Sequence, residues 1–360
     1  MGSVYDAFLL VSFGGPEGPD DVMPFLRNVT AGRGVPDERL ASVAEHYYQF
    51  GGVSPINQQC RDLLAAVEKD FAARGIALPV YWGNRNWHPY LTDTLAAMAA
   101  DGVGRALAFV TSGYSSFSSC RQYLGDIEAA RAAAGPGAPR VDKIRQFFNH
   151  PGFIEPNAAA VAEAAATLGD SADFDLVFTA HSIPEWMSAA SGPEGGAYPA
   201  QLAEAARLVA AEAAVLARGT TPGAPGQPPG SRWRLAYSSR SGPPAQPWLE
   251  PDINDCLAEL AAAGSSAVVV SPIGFISDHM EVKFDLDVEA AQTASRLGLR
   301  FARAATAGTD PRFVSMISDL VRERLDGTAP LALGTLGAGH DSCPAGCCGQ
   351  PPARPGGVTG

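Results

Sequence analysis

The sequence predicts an α/β protein with two Rossmann-like, doubly wound domains that contain parallel sheets and are related by a pseudo-twofold. Short apolar, β-rich runs alternate with longer Ala-rich stretches of helical spacing, which is typical of parallel sheets covered by helices. The 360 residues exceed the usual size of one domain. LLVSFGGP resembles LVFTAHSIP, and FVTSGYSS resembles VVSPIGFI, each pair about 160 residues apart.

The individual elements follow from periodicity and composition. Runs rich in apolar and β-branched residues predict strands at 6–13, 79–83, 105–112, 141–148, 174–180, 234–237 and 266–272. Ala-rich stretches with helical spacing predict helices at 55–74, 91–100, 122–134, 158–168, 201–218 and 281–297. Strands and helices therefore alternate through both halves.

The boundary between the domains is expected in the helix after Pro151, because the last strand of the first half has ended there. This gives domains at 1–155 and 156–330, followed by a Cys-rich tail at 331–360. Residues 219–231, GTTPGAPGQPPGS, are too rich in Pro and Gly for regular structure and are expected to form a surface loop. The tail from Gly334 is rich in Gly, Pro and Cys, and left alone it would be disordered.

Charge and composition exclude several classes of partner. The chain has 38 acidic and 26 basic residues, a net charge of -12, which argues against nucleic acid and anionic lipid. The N-terminus lacks the basic region of a signal peptide, and no stretch approaches the length of a membrane span. Six cysteines, three of them in SCPAGCC, do not form a disulfide scaffold. We expect a protein of the reducing cytoplasm.

One histidine and three carboxylates form the candidate site. His181 follows an apolar strand, and ligands of open α/β sheets bind at the carboxyl ends of strands. Glu281, Asp285 and Glu289 are spaced by four residues, which displaces each by only ~40° around an α-helix. All three thus share one side and could form a ladder of oxygen ligands. An imidazole facing a carboxylate suits a divalent first-row cation or the movement of protons at neutral pH.

Both features have a plainer interpretation, since a histidine at a strand end can be structural and a helix can carry a solvated acidic face. Glu281 closely follows the apolar strand VVVSPIGF, so its end of the ladder is expected to point into a cleft. The sequence therefore favours a metal-handling site.

Six motifs, met in this order, resemble the ferrochelatases, the class II chelatases that insert ferrous iron into a porphyrin. They are SFGGPEGPDDV, YYQFGGVSPIN, GNRNWHPY, TAHSIP, SRSGPPAQPWLEPD and PIGFISDHMEVKFDLDVE. The similarity runs from Tyr5 to about Leu325. It implies two Rossmann-like domains of the chelatase type, with the macrocycle in the cleft between them.

The resemblance assigns roles to the candidate site. His181 matches the family's cleft histidine and Glu281 the facing glutamate, the pair associated with iron binding and removal of pyrrole protons. Which of the two takes the proton stays open. Asp285 and Glu289 match an acidic stripe proposed as a route for hydrated iron and for departing protons.

The resemblance also implies porphyrin contacts. Ser54 and Tyr123 match positions that contact the macrocycle and its propionates, and Arg33 suits a propionate because arginine pairs with carboxylates through two hydrogen bonds. Phe13 stands where some relatives have an iron-ligating tyrosine, and Phe cannot ligate. Trp248 matches a tryptophan near the cleft. For Phe13 and Trp248 a structural role in the core is an equal alternative.

The substrate implied by likeness to actinobacterial members is coproporphyrin III, which would be converted to coprohaem in haem biosynthesis. Alternatives are protoporphyrin IX, a cobalt or nickel tetrapyrrole chelatase, and a non-catalytic haem-binding protein. The run YSSR at residues 237–240 departs from the family's Trp-Gln-Ser-Arg/Lys pattern and leaves that wall of the pocket less certain. Contact with a downstream haem-pathway enzyme is a further expectation.

The cysteines of the tail resemble the ligands of a 2Fe-2S cluster that some ferrochelatases hold. Three of the ligands are C-terminal in those relatives, and the fourth comes from the body of the protein. The ligand set implied here is Cys120, Cys343, Cys347 and Cys348. Cys60 and Cys256 compete with Cys120 but have the character of helix-buried thiols. A zinc site or an unliganded tail is the alternative.

Overall fold

The computed structural model describes residues 4–169, 173–218, 232–242 and 245–349, which contain two four-stranded parallel sheets. The strands are β1 (Ala7–Ser12), β2 (Val80–Asn84), β3 (Arg105–Val110), β4 (Arg140–Lys143), β5 (Asp175–His181), β6 (Trp233–Ser238), β7 (Ala267–Ser271) and β8 (Arg300–Arg303). The first sheet has the order β2-β1-β3-β4 and the second β6-β5-β7-β8. The identical orders confirm the predicted α/β fold with two similar halves.

Helices cover the sheets on both faces. They are α1 (Pro19–Val29), α2 (Asp37–Tyr48), α3 (Ile56–Arg74), α4 (Leu91–Ala100), α5 (Gln122–Ala134), α6 (Pro151–Ala166), α7 (Glu185–Ala189), α8 (Ala197–Arg218), α9 (Ile253–Ala262), α10 (Ala291–Arg296) and α11 (Pro311–Asp326). Two further segments are π-helices: the first π-helix (Phe117–Arg121) leads into α5, and the second π-helix (Glu281–Ala290) leads into α10. Within the described ranges, no helix combines the length and the apolar character that crossing a membrane requires.

The inner strands β1, β3, β5 and β7 are apolar because both faces of each sheet are covered there. All six residues of β1 are buried, and β1 pairs with β2 on one side and β3 on the other. β5 holds the same central position between β6 and β7 in the second sheet. The carboxyl ends of β1 and β5 therefore each lie at the topological switch point of their sheet, where ligands of such sheets bind.

One hydrophobic core joins the two halves. Phe313 in α11 lies 6.0 Å from Phe147 and 6.3 Å from Phe109, ring centre to ring centre. Arg145 Nε donates to Glu323 Oε2 at 2.7 Å, and both side chains are almost fully buried. The last helix therefore anchors the first half, although it belongs in sequence to the second half. The domain boundary predicted at residues 155 and 156 falls within α6 and stays a prediction.

Several elements differ from the sequence prediction. The strand predicted at 141–148 ends at Lys143, and Phe147 and Phe148 fill the core from a non-strand segment. Seven elements were not predicted, namely α1, α2, α7, α9, α11, β8 and the first π-helix; α1 contains Pro24, which masked its helical pattern. The predicted α-helix at 281–297 is π-helical over its first ten residues. The loop predicted at 219–231 and tail residues 350–360 lie outside the described residues.

Candidate functional site

His181 is the last residue of β5. It pairs in register with Ser238 of β6. The buried strand brings its imidazole to the edge of the sheet, where about a third of the side chain is exposed. Tyr198 donates a hydrogen bond to the His181 carbonyl at 2.9 Å, and His181 Nδ1 contacts the Ser182 carbonyl. Because a carbonyl accepts, Nδ1 carries a hydrogen and Nε2 is the nitrogen that faces the cleft.

Glu281 begins the second π-helix and faces His181. Its Oε1 lies 3.3 Å from His181 Nε2. Burial lowers the pKa of His181, but the charge and hydrogen bond of Glu281 outweigh burial and raise that pKa to about 9. Burial raises the pKa of Glu281, but His181 outweighs it in turn and lowers that pKa to about 2. The metal-free pair is therefore an imidazolium and a carboxylate at neutral pH.

Asp285 and Glu289 continue from this pair toward solvent. Burial, with the charges of Glu281 and Glu289, raises the pKa of Asp285 to about 7, although Ser239 donates a hydrogen bond to the Asp285 carboxyl. Glu289 is exposed, and its pKa is raised by partial burial and by Asp252. The ladder thus begins with Glu281 in a half-buried ion pair and ends with Glu289 at the surface. Asp285, between them, titrates near neutral pH.

The π-helical turn keeps this spacing. Hydrogen bonds from i to i+5 widen the turn, and residues four apart remain on one side. The opposite side is apolar and buried, and it comprises Val282, Leu286 and Ala290. π-helical segments occur frequently at functional sites. The second π-helix therefore presents its acidic side to the cleft because its apolar side is fixed in the core.

Two residues near the pair were missed by sequence reasoning. His279 Nδ1 accepts a hydrogen bond from the Glu281 backbone amide at 3.2 Å, and burial lowers the pKa of His279. Tyr47 in α2 lies within electrostatic reach of Glu281 and Asp285, and burial raises its pKa. Both residues lie within motifs of the resemblance, His279 in PIGFISDHMEVKFDLDVE and Tyr47 in YYQFGGVSPIN, but no spacing pattern marks either one. Tyr47 reaches the site from the other half of the chain.

Arg85, to which the sequence assigns no role, contacts the rings of both Phe13 and Tyr123. Phe13 follows β1, and 36% of it is exposed. The guanidinium of Arg85 lies 5.7 Å from the Phe13 ring and 4.4 Å from the Tyr123 ring, and it pairs with Asp126. Arg85 thus ties together two of the five predicted porphyrin residues. Arg85 lies within the motif GNRNWHPY, but neither its spacing nor the resemblance assigns it a role.

The other three predicted porphyrin residues have different surroundings. Ser54 is buried against Gly15, and its amide donates to the Pro16 carbonyl at 2.9 Å. Arg33 is exposed in the turn after α1. Trp248 is 8% exposed and packs on Gly242, and its indole nitrogen has no hydrogen-bond partner among the described residues. Of these three, only Arg33 is freely accessible.

The four predicted cluster cysteines lie together. Cys120 Sγ is 3.7 Å from Cys343 Sγ, and Cys347 Sγ is 3.9 Å from Cys348 Sγ. Contacts with Cys343 and Cys348 hold the pKa of the Cys120 thiol far below its usual range. The imidazole of His340, which sequence reasoning missed, lies 3.6 Å from Cys347 Sγ. The competing thiols are placed elsewhere, buried in α3 and α9 (Cys60 and Cys256).

The residues around the sulfurs fit a bound metal centre. All four cysteines are free thiols, and their separations exceed a disulfide bond of about 2.04 Å. Gln146 is buried beside Cys120, and its side chain helps to lower the pKa of that thiol. One ligand atom from each of three residues lies within 4.8 Å of the other two, and these residues are His340, Cys343 and Cys347. Four thiols and one imidazole form a soft donor set suited to an iron-sulfur cluster or to zinc.

Comparison with known proteins finds relatives that match almost the whole chain. The chain is 54% identical over 370 residues to the coproporphyrin III ferrochelatase of Streptomyces coelicolor, covering 98% of this chain and 96% of that protein. It is 54% identical over 354 residues to the ferrochelatase of Rhodopirellula baltica, with coverages of 98% and 95%. Among solved structures, SirB from Bacillus subtilis with Fe3+ has a TM-score of 0.51 at 10% identity, covering 89% of this chain and 95% of that one, which shows a shared fold. Residues 5–325 match the Ferrochelatase family, and the chain therefore belongs to it.

Proposed function

We propose that this protein is an enzyme that inserts Fe2+ into coproporphyrin III and so forms coprohaem in haem biosynthesis. The observation that carries the proposal is the 3.3 Å contact between His181 Nε2 and Glu281 Oε1 at the carboxyl end of β5. Membership of the ferrochelatase family supports the reaction. The names of the most similar relatives support coproporphyrin III as the substrate.

Insertion exchanges one Fe2+ for two pyrrole protons, so the site must hold a cation and accept protons. Fe2+ binds neutral imidazole, and His181 is protonated in the metal-free pair. Capture of iron by His181 and Glu281 therefore releases the proton of His181. The two side chains can then hold the metal on one side of the macrocycle while its nitrogens replace the water ligands.

Asp285 is suited to carry protons away from this pair. Its raised pKa of about 7 allows it to gain and lose a proton near neutral pH. A proton received from His181 or Glu281 can pass on toward Glu289, which is exposed. The same carboxylates attract hydrated Fe2+ in the opposite direction. We therefore propose that Asp285 and Glu289 form the route for both ions.

We propose that the porphyrin lies over Phe13, with a propionate toward Arg33, and that Tyr123, which is only 5% exposed, supports Phe13 through Arg85. The partly exposed ring of Phe13 supports this, as does the guanidinium of Arg85 between the two aromatic rings. Phe13 offers no ligand atom, so iron receives no axial ligand from that residue. Ser54 and Trp248 are buried, and we assign both a supporting role in the walls of the porphyrin site.

An anaerobic insertion assay tests the proposed function. Coproporphyrin III and protoporphyrin IX are offered separately with Fe2+, and loss of the free-base bands is followed in the visible spectrum. Faster turnover of coproporphyrin III supports the proposal, whereas preference for protoporphyrin IX keeps the reaction and overturns the substrate. Absence of insertion into either porphyrin, by protein whose metal content is intact, overturns the enzyme assignment.

We further propose that a 2Fe-2S cluster is held by Cys120, Cys343, Cys347 and Cys348. When bound, such a cluster supplies a covalent cross-link between the body and the tail and a one-electron redox centre. The position of His340 beside Cys347 favours one alternative, a zinc ion held by the imidazole and three thiolates. Iron, sulfide and zinc analysis of the purified protein distinguishes the two, because only the cluster contains acid-labile sulfide.

A cytoplasmic location is also part of the proposal. The six cysteines are all free thiols, as expected in a reducing compartment. Exchange of product with a downstream haem-pathway enzyme by direct contact stays a prediction. Co-purification of the two enzymes at the porphyrin concentration of the assay is its test.

A further inference from the structure

We propose that Arg303 is a positioning residue of the iron site, because it clamps two aspartates that flank Glu281 and Asp285 and so fixes the second π-helix against the sheet. The proposal rests on the proposed function. Arg303 is the last residue of β8 and pairs in register with Val270 of β7, so its backbone belongs to the sheet. Its side chain is only 16% exposed.

One side of the clamp is Asp278, three residues before Glu281. Arg303 Nη1 and Nη2 donate to the two carboxylate oxygens of Asp278 at 3.3 and 3.1 Å. Thr306 adds a hydrogen bond to the same carboxylate at 3.2 Å. The Asp278 amide donates to Gln59 Oε1 in α3 at 2.7 Å. The segment entering the π-helix is therefore tied to both halves of the protein.

The other side of the clamp is Asp287, two residues after Asp285. Arg303 Nη2 donates to Asp287 Oδ2 at 3.2 Å, and Arg303 Nε contacts the other carboxylate oxygen. Lys283 Nζ donates to Asp287 Oδ2 at 2.7 Å. Asp278 and Asp287 are 19% and 23% exposed, so the network is largely shielded from solvent. Planar, two-pronged pairing of this kind fixes geometry more strictly than a single point charge.

Arg303 is not itself a member of the ladder. Within the described part of the chain, the side-chain hydrogen bonds of Arg303 go to Asp278, Asp287 and the Ala304 carbonyl. Asp278 precedes Glu281 and Asp287 follows Asp285, so the clamp holds the backbone on either side of these two ladder residues. Arg303 therefore fixes the position of Glu281 and Asp285 relative to the sheet that carries His181.

The test compares Arg303→Met and Arg303→Lys with the matched variant Arg234→Met. Arg234 lies near the start of β6, at the end of the sheet away from His181, and pairs with Glu259 at 2.8 Å. Because loss of residues that orient metal ligands typically costs about 10- to 100-fold, we expect Arg303→Met to raise the KM for Fe2+ about tenfold or more. The KM for coproporphyrin III should change by less than about twofold. The KM for Fe2+ of Arg303→Lys should fall between those of Arg303→Met and the wild type.

A second measurement is independent of turnover. Hydrogen exchange is measured in the wild type, Arg303→Lys and Arg234→Met. Residues 278–290 should exchange faster than in the wild type only in Arg303→Lys. Arg303 variants with equal changes in both KM values, or with exchange faster throughout the chain, would show a general structural role and overturn the proposal. Wild-type protein that inserts no iron overturns the proposed function instead, and the exchange result then still decides whether Arg303 fixes the π-helix.

Discussion

His181 Nε2 lies 3.3 Å from Glu281 Oε1, and the two residues come from β5 and from the segment that follows β7, the neighbouring strand. Neighbouring parallel strands deliver their C-terminal residues to the same edge of the sheet. The second π-helix then leads away from that edge and takes Asp285 and Glu289 toward solvent. The fold thus produces a half-buried ion pair at the inner end of an acidic ladder.

The first prediction concerns the stability of the metal-free protein as a function of pH. The raised pKa of His181 stabilises the fold fully below about 6.5, and this contribution is lost as pH rises through about 9. The lowered pKa of Glu281 contributes above about 4.5, and that contribution is lost as pH falls through about 2. His181→Ala should therefore lower Tm most between pH 5 and 6.5, and the difference should shrink by pH 10. A difference in Tm that stays constant across this range would contradict the ion pair.

The affinity for Fe2+ should rise with pH over the range in which the stabilising contribution of His181 to the metal-free protein is lost. Fe2+ must displace the proton of His181, so its affinity should rise from pH 6 to 9 in the wild type. Anaerobic titration with Fe2+ in the absence of porphyrin measures this affinity. Glu259→Gln is the control, because Glu259 is exposed, pairs with Arg234 at the end of the sheet away from His181, and should leave the pH dependence unchanged. An affinity independent of pH would show that His181 is not a ligand.

Arg85 should determine how tightly the porphyrin binds. Its guanidinium stacks on Tyr123 at 4.4 Å and lies 5.7 Å from Phe13, so Arg85→Met removes the group that holds the two rings. We expect the KM for coproporphyrin III to rise about tenfold, the effect of about 1.4 kcal/mol of lost binding, while the KM for Fe2+ stays unchanged. Arg131→Met is a control on the same helix as Tyr123, since Arg131 pairs with Glu128 at the surface. Equal changes in the two variants would contradict a specific role for Arg85.

Replacing Cys120 should remove the metal centre and loosen the tail. Cys120→Ser takes away the one thiol of the group that lies outside the tail. We expect loss of iron and sulfide from the purified protein, loss of the visible absorption of the cluster, and a lower Tm. Cys256→Ser is the matched control, because Cys256 is equally buried and lies in α9. Unchanged metal content in Cys120→Ser would exclude Cys120 as a ligand.

The sheets and the ends of their central strands were predictable from sequence, because buried parallel strands leave continuous apolar runs such as AFLLVS and AVVVS. The ladder was predictable from its four-residue spacing. Its π-helical form was not, because apolar periodicity does not separate i+4 from i+5 hydrogen bonding in a short segment. That form is fixed by tertiary contacts, above all those of Arg303 in β8.

The residues that sequence reasoning missed share a physical reason. Arg85, Tyr47 and His340 act through contacts with segments distant in sequence or through single side chains in a tail without periodicity. Composition and spacing carry no signal for such contacts. Cys120, by contrast, was recovered through resemblance to relatives, and the structure places it against the cysteines of the tail.

Asp285 offers the most direct test of proton movement, because its pKa of about 7 lies above the ordinary value of an aspartate. Asp285→Asn should lower kcat at least about 100-fold, in the range for loss of a general base, and abolish the rise in rate near pH 7. The same variant should be more stable than wild type at pH 8, because a carboxyl with a raised pKa destabilises the fold once it ionises. The stability gain should vanish below about pH 4. Glu259→Gln should change both properties far less, since Glu259 is exposed and pairs with Arg234 at the end of the sheet away from His181. Reduced kcat without the stability gain would show that Asp285 is not the buried, neutral-range proton carrier, and a gain without reduced kcat would show that protons leave by another path.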